Sequence, residues 1–464
     1  MVRSANMPNT TLSALLTEAG WSGSTLASRV NAVAAEGGLV LRLDRRQPSS
    51  WLAGRRPRPP IPELVAEALS RQLSRPVTIT DTGLVHHQPA TPAPGTGPTP
   101  VADPTQSLDV ATVLMRLITS NDKRRQALTG GVYRVRPLAL PTWTNATRAA
   151  HHHSTQPKPD TTFEAVTDAG PVTAAEQMAR VFTDADASFG GGYARRALAA
   201  YLAHDIAPRL HTVSRLAVRT RLLTAATKLS YQCAFMCFDD QQHGLAQHYY
   251  QAALDLAAEN GDSSAYAITL RALSVQASFL GHHREAVQLA ETAVVTNRKF
   301  LPERQAFLYG QVAVAAAGNG DRTNALSALH LAERRLNQAT STTQPLNETI
   351  MGAYHPAALF HQQAATLALL GDRKAAITAL AASNTHRPTT ERRSRAIINA
   401  RLAELHLDNG NLESAAAAWH AFLDDYPHLT SRRVTASLKT LRSRIRPHTA
   451  HLTARRLLTR AFVL

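Results

Sequence analysis

GDRTNALSAL (Gly320–Leu329) and GDRKAAITAL (Gly371–Leu380) are two copies of one pattern: a glycine, an alanine five residues later, and a leucine one helical turn beyond it. The frame recurs in GHHREAVQL (Gly281–Leu289) and GNLESAAAAW (Gly410–Trp419), with Ala286 and Ala415 at the small position. CFDDQQHGLAQHYYQAALDLA (237–257) joins the series if Gln241 takes the glycine's place and Ala246 the alanine's. A glycine at such a point ends one helix in a left-handed turn that other residues resist. The small alanine lets the next helix come close. Helix pairs of this kind cannot bury their apolar faces alone, so they stack. The series therefore predicts an all-α chain whose larger part, 172–464, is an α-solenoid. One or two degenerate pairs are expected upstream, around 175–210. The polar segment 336–349 reads as a loop, and Pro427 should end the second helix of the last pair.

Ahead of the solenoid the composition changes. Residues 84–106 are rich in Pro, Thr, Ala and Gly without apolar periodicity, which is a linker composition. Residues 107–171 read as an irregular connecting region, with one amphipathic helix at 107–120 and a loop at 151–162. The three histidines 151–153 lie in that loop without the further ligands a metal site requires. Residues 8–83 read as a small domain of short helices: 11–20, 22–38, a short third helix carrying Trp51, and 60–73.

The chain of 464 residues holds 50 Lys+Arg against 34 Asp+Glu, a formal charge of +16. That balance favours polyanionic partners. The charge is dense in RLDRRQPSSWLAGRRPRPP (42–60), where six residues are arginine and only Asp44 is acidic. The two cysteines, Cys233 and Cys237, fit core thiols of a reducing compartment rather than a disulfide framework. No apolar run is long enough to span a membrane, and the N-terminus lacks a secretory pattern, so a cytoplasmic location is expected. Catalytic signatures are missing: there is no His-Glu-x-x-His, no Gly-x-Ser-x-Gly and no phosphate-binding loop, Gly190–Gly192 included. The chain is therefore read as a non-enzyme with no cofactor and no metal site. Asp239–Asp240, Asp424–Asp425 and His282–His283 adjoin turns and are expected in solvent.

The Leu26-Ala27 pair in the second helix, with Trp51, Gly54 and Pro57 closing the third, resembles the phage-repressor type of helix-turn-helix. The segments SSWLAGRRPRPPIPELVAEALSR (49–71), GGGYARRALAAYLAHDIAPRL (190–210) and HGLAQHYYQAALDLA (243–257) resemble actinobacterial regulators that join such a domain to tetratricopeptide-like repeats. The resemblance implies a transcriptional regulator whose third helix enters the DNA major groove. Arg42, Arg45, Arg46, Gln47, Ser49 and Ser50 would then lie at or before the start of the recognition helix, where base edges are read. Arg55, Arg56 and Arg58 would grip phosphates. About ten more residues than usual separate the second and third helices, so either the second helix is longer or a small wing is inserted. A protein-interaction scaffold with a degenerate helix-turn-helix and no DNA function is the alternative, and RNA binding a weaker one.

In the solenoid, the positions nine residues before each turn are Gln232, Ala272, Gln311, Gln362 and Arg401, with Arg271 and His361 beside them. If the first helix of each pair lines the inner curve, Gln232, Arg271, Gln311, His361, Gln362 and Arg401 would offer a groove for a peptide or partner protein. A homodimer is expected. At the C-terminus, 431–464 holds nine Lys+Arg and no acid. Val434, Leu438, Leu441 and Ile445 at helical spacing suggest a capping helix, or alternatively a second contact to DNA.

Overall fold

The computed structural model describes residues 7–36, 39–85, 109–120, 133–135, 141, 164–213, 215–296, 301–340 and 356–464. Among these the chain is helical and contains no strand. The linker tract 86–106, the loop 151–162 and its three histidines lie outside the described residues.

Four helices open the chain: α1 (Thr10–Ala19), α2 (Gly23–Glu36), α3 (Arg46–Leu52) and α4 (Ile61–Leu73). They share one core, built on Leu12, Leu26, Val30, Trp51, Leu64 and Leu69. Next, α5 (Val110–Ser120) packs Ala111, Leu114 and Leu117 into the core of the larger body. That body begins with α6 (Glu164–Phe189) and α7 (Gly191–Tyr201), which runs through a π-helical turn, Leu202–Ile206, into α8 (Ala207–Thr212).

Five helix pairs follow. They are α9 (Leu216–Asp239) with α10 (His243–Glu259), α11 (Ser263–Leu280) with α12 (His283–Thr296), and α13 (Pro302–Gly318) with α14 (Arg322–Thr340). Then come α15 (Pro356–Leu369) with α16 (Arg373–Thr385), and α17 (Arg392–Asp408) with α18 (Leu412–Asp425). Successive helices pack on one another, so the arrangement is that of a solenoid.

The pairing rests on the turns that the sequence marks. Gln241, Gly281, Gly320, Gly371 and Gly410 all have positive φ, at 54°, 86°, 81°, 86° and 78°. The next N–H in each case reaches back to a carbonyl five residues earlier: Gln242 to Cys237, His282 to Ala277, Asp321 to Ala316, Asp372 to Leu367 and Asn411 to His406. This is the Schellman closure, which satisfies carbonyls that a helix end leaves open. Gln241 adopts the turn without being glycine. The alanine five residues on is fully buried each time: Ala246, Ala286, Ala325, Ala376 and Ala415. Leu289, Leu329, Leu380 and Trp419 are buried beside them, each worth roughly 1.5–3 kcal/mol or more on transfer from water. The polar tract after Leu336 departs from its loop reading, since α14 continues to Thr340; residues 341–355 are outside the described set.

The last pairs turn back onto the first helices. Gly190 (φ 85°) and its neighbours separate α6 from α7 and admit the segment at Thr430. Thr430 N–H donates to the Phe189 carbonyl at 2.7 Å, and the Thr430 carbonyl accepts Gly192 N–H at 2.8 Å. A Cβ on Gly191 would lie 2.6 Å from the Met236 carbonyl, so the close approach requires glycine. A polar seam completes the contact. Arg393 on α17 pairs with Asp186 on α6 at 2.8 Å, and Arg195 pairs with Asp240 at 3.3 Å. Arg433 lies 3.8 Å from Asp239, while Arg432 lies 3.5 Å from Asp240. Asp239 is fully buried and Asp240 mostly so, which corrects the solvent placement expected for them; Asp425 is also buried, and Asp424 is exposed. Burial pushes the Asp186 carboxyl up to about 6 despite Arg393.

The chain ends with α19 (Arg432–Ile445) and α20 (Leu452–Val463). Val434, Leu438, Leu441 and Ile445 are all buried against α18 and α20. Arg442 donates to the Ala461 carbonyl and lies over the Phe462 ring, so part of the basic surface is used to seal the end.

Candidate nucleic-acid interface

The N-terminal helices are set by local chemistry. Asn9 caps α1 by accepting Leu12 N–H at 3.0 Å, and Gly20 closes it in the left-handed region. α2 runs to Glu36, and residues 39–44 have no regular secondary structure. The extra length between second and third helices is therefore divided between a longer helix and an irregular strap. Leu39, Leu41 and Leu43 turn toward the core, while Val40 and Arg42 face out. Asn31 holds the strap at two points: its amide donates to the Leu43 carbonyl at 2.9 Å and accepts Leu43 N–H at 3.0 Å.

Asp44 and Gln47 then start α3 with a reciprocal cap. Arg46 N–H donates to Asp44 Oδ1 at 2.7 Å, and Asp44 N–H donates to Gln47 Oε1 at 2.9 Å. Ser49 Oγ donates to the Arg45 carbonyl at 2.8 Å and Ser50 Oγ to that of Gln47 at 2.7 Å. Gln47, Ser49 and Ser50 thus serve the helix itself, a use the residue types alone did not reveal. Trp51 points the other way into the core and is 3 % exposed. After it, Gly54 at φ 91° releases the chain toward α4.

The arginines are left on the outside. Arg42, Arg45, Arg46, Arg55, Arg56 and Arg58 are all exposed in the intact chain. Among the described residues no carboxylate pairs with Arg42, Arg45, Arg46, Arg55 or Arg58. The side chains surround the start of α3 and the segment beyond it.

This small domain docks onto the solenoid through α4. Glu67, 7 % exposed, meets His282 of the second turn at 3.0 Å. Arg71 bonds Glu67 at 2.7 Å and grips Glu36 with two contacts of 2.8 Å. Tyr133 stacks on His282 with ring centroids 5.2 Å apart and donates to Glu285 at 3.0 Å. Burial raises the Glu36 carboxyl even against the hydrogen bonds from Arg71. Burial also lifts the Tyr133 hydroxyl well above its ordinary value. His282 is thus a buried junction residue, not the solvated turn residue expected. The sequence carries one faint signal for this: Glu67 and Arg71 lie one helical turn apart on a helix whose other inward positions, Ser70 apart, are apolar.

The residues expected to form a partner groove separate into two groups. Gln232, Gln311 and Gln362 are buried. Gln311 donates to Ser274 Oγ at 3.1 Å, and the Gln362 amide fills the space over Gly310, whose Cβ would stand 2.0 Å from it. Arg271 lies on the Phe307 ring at 3.7 Å. Gln232 hydrogen-bonds Asp186 on α6 and the other three side chains are spent on packing between pairs, which corrects the expectation of an amide-lined groove. His361 and Arg401 instead line a cavity of about 350 Å³ between α11, α15, α17 and α19.

Cys233 and Cys237 are buried core thiols, and burial raises the Cys233 thiol well above its ordinary value. No group of three or more His, Cys, Asp or Glu suited to a metal ion occurs among the described residues. No helix among them is long and apolar enough to cross a membrane.

Residues 12–85 match the family described as the SP15 N-terminal domain. The matched span coincides with the core of α1 to α4 and ends just beyond Leu84, its last buried residue. No curated protein matches the chain.

Proposed function

We propose that this protein is a DNA-binding transcriptional regulator, cytoplasmic and non-enzymatic, whose solenoid serves dimerisation or the sensing of a partner or ligand. One observation carries the reading: six arginines stand exposed around the start of α3 and the loop beyond it, while docking onto the solenoid uses α4 and none of them. Arg42, Arg45, Arg46, Arg55 and Arg58 pair with no carboxylate among the described residues, and such guanidinium groups are suited to phosphate oxygens and to guanine edges. A helix of the phage-repressor type, presented with its start toward the duplex, would bring Arg45 and Arg46 to the bases. Arg55, Arg56 and Arg58 would follow the backbone. Gln47, already engaged with Asp44, would take a smaller part in base reading.

The experiment is recovery of genomic fragments bound by the full chain, followed by mobility shifts on the enriched fragments. A shared sequence, bound at least about a thousandfold tighter than random duplex, is the expected result. The scaffold reading draws on the local use of Gln47, Ser49 and Ser50, which leaves few side chains to read bases. It would be favoured if no fragment is enriched and duplex binding is weak at physiological salt.

A further inference from the structure

We infer that the cavity between α11, α15, α17 and α19 binds a small amphipathic organic anion, with an apolar body against Phe279 and its acidic group at Arg433. This inference stands independently of the DNA-binding reading. Its volume, about 350 Å³, is at the small end of the range for organic ligands and too small for an extended peptide. The amides that would have paired with a peptide backbone are buried elsewhere. The apolar part of the lining comes from Phe279 on α11, Ala364 and Ala365 on α15, Leu380 on α16, Ile397 on α17 and Ala436 on α19.

The polar lining includes the uncharged Gln241, Ser437 and Thr440 and is unbalanced in charge. It holds two guanidinium groups, Arg401 and Arg433, against one carboxylate, Glu404. Arg401 is neutralised by Glu404 at 2.9 Å. Arg433 is held over the Phe238 ring at 4.7 Å, with its carboxylate partner Asp239 no nearer than 3.8 Å. Asp239 is itself shared with Arg393 at 3.8 Å. The seam behind Arg433 therefore sets three carboxylates, Asp186, Asp239 and Asp240, against four guanidinium groups, Arg195, Arg393, Arg432 and Arg433. One positive charge is left over beside an apolar space, which is the condition an organic anion would relieve. His361 also lines the cavity, and its Nδ1 has no hydrogen-bond partner. Burial lowers this imidazole to about 4, so it is neutral there and adds a polar handle without charge.

The test uses the full chain and two probes of the same aromatic framework. These are 1-anilinonaphthalene-8-sulfonate and its uncharged counterpart, N-phenyl-1-naphthylamine. Fluorescence titration should show one sulfonate site per chain, and the uncharged probe should bind at least tenfold more weakly. Hydrogen–deuterium exchange of the wild-type chain with saturating sulfonate should show slowed exchange in α15, α17 and α19. Ala436→Phe on α19 and, separately, Ala365→Phe on α15 should fill the space and weaken sulfonate binding at least tenfold with the melting curve retained. Arg433→Gln should bring the affinities of the two probes within about threefold of each other. The inference is overturned if both probes bind alike to the wild type, which would make the cavity merely apolar. It is equally overturned if protection appears only outside these helices, or if a folded, filled variant binds the sulfonate unchanged. Should the filled variants fail to fold, the exchange pattern of the wild type decides alone.

Discussion

Replacing Trp51 with alanine should unfold the N-terminal domain and leave the solenoid standing. The indole is 3 % exposed and packs among the residues that join α1, α2 and α4. An aromatic side chain of this kind buries roughly 150–250 Å². At about 25 cal/mol per Å² that is roughly 4–6 kcal/mol of transfer free energy. Alanine keeps part of it, so a loss of about 3–5 kcal/mol is expected. A domain of this size has about 4–11 kcal/mol in total, so most or all of its stability would go. The junction at Glu67 and His282 sits on the far side of α4 and should not compensate. The assay is urea or thermal unfolding by circular dichroism, combined with limited proteolysis in the 86–106 tract. The wild type should release a protease-resistant N-terminal fragment; Trp51→Ala should release one that is digested. The early thermal transition should fall by roughly 12 °C or more, at about 4–8 °C per kcal/mol for such a domain. Trp51→Phe should retain most of the fold. An unchanged fragment and transition in Trp51→Ala would refute the packing role given to this residue.

Three further outcomes are expected. Burial lowers His361 to about 4 and His243 to about 3, both below the unfolded value near 6.5. Their charged forms are favoured in the unfolded chain, so their contribution to stability is lost as pH falls from about 6.5 toward 4, whereas Asp186, raised to about 6, acts in the opposite sense over about 6 to 4. His243→Gln removes its share of this loss, so the variant's denaturation midpoint should fall less than that of the wild type as pH drops from about 6.5 toward 4. Glu67→Ala leaves Arg71 and His282 without their shared buried partner and should weaken docking of the small domain by about 3 kcal/mol; faster cleavage before residue 109, with the fragment itself still folded, would register it. Gly192→Ala drives a Cβ to 2.8 Å from the Thr430 carbonyl and should open the contact between the first helices and the returning last ones, seen as a larger radius of gyration in scattering or as a lower unfolding midpoint.

The solenoid was legible because its signal is local. A left-handed turn selects glycine, and a close helix approach selects alanine, so Gly281, Gly320, Gly371 and Gly410 with their alanines could be read in order. Gln241 was recovered only through the period, since nothing in glutamine itself favours φ 54°. Trp51 was legible for a similar reason: a large aromatic just before a glycine turn has few places to go. What could not be read depends on which distant surfaces meet. Asp239 and His282 sit at turns among polar neighbours, where solvent is the ordinary environment. Only the return of α17 and α19 buries the first, and only docking of α4 buries the second. The amides of Gln232, Gln311 and Gln362 were misplaced because helix periodicity fixes a face but not what covers it. Gln47 shows the same limit at shorter range: a capping partner and a base-reading residue have the same side chain.

The central claim concerns the arginines around α3, and the salt dependence of duplex binding tests it most directly. Each phosphate contact releases about one counterion, so log K should fall linearly with log salt, with a slope of about −0.9 per contact. The triple variant Arg55→Ala, Arg56→Ala, Arg58→Ala should lower affinity for every duplex alike and reduce the slope by about 3 units. Arg45→Ala with Arg46→Ala should instead reduce discrimination between the enriched sequence and random duplex. An unchanged slope in the folded triple variant, with duplex affinity preserved, would contradict the account.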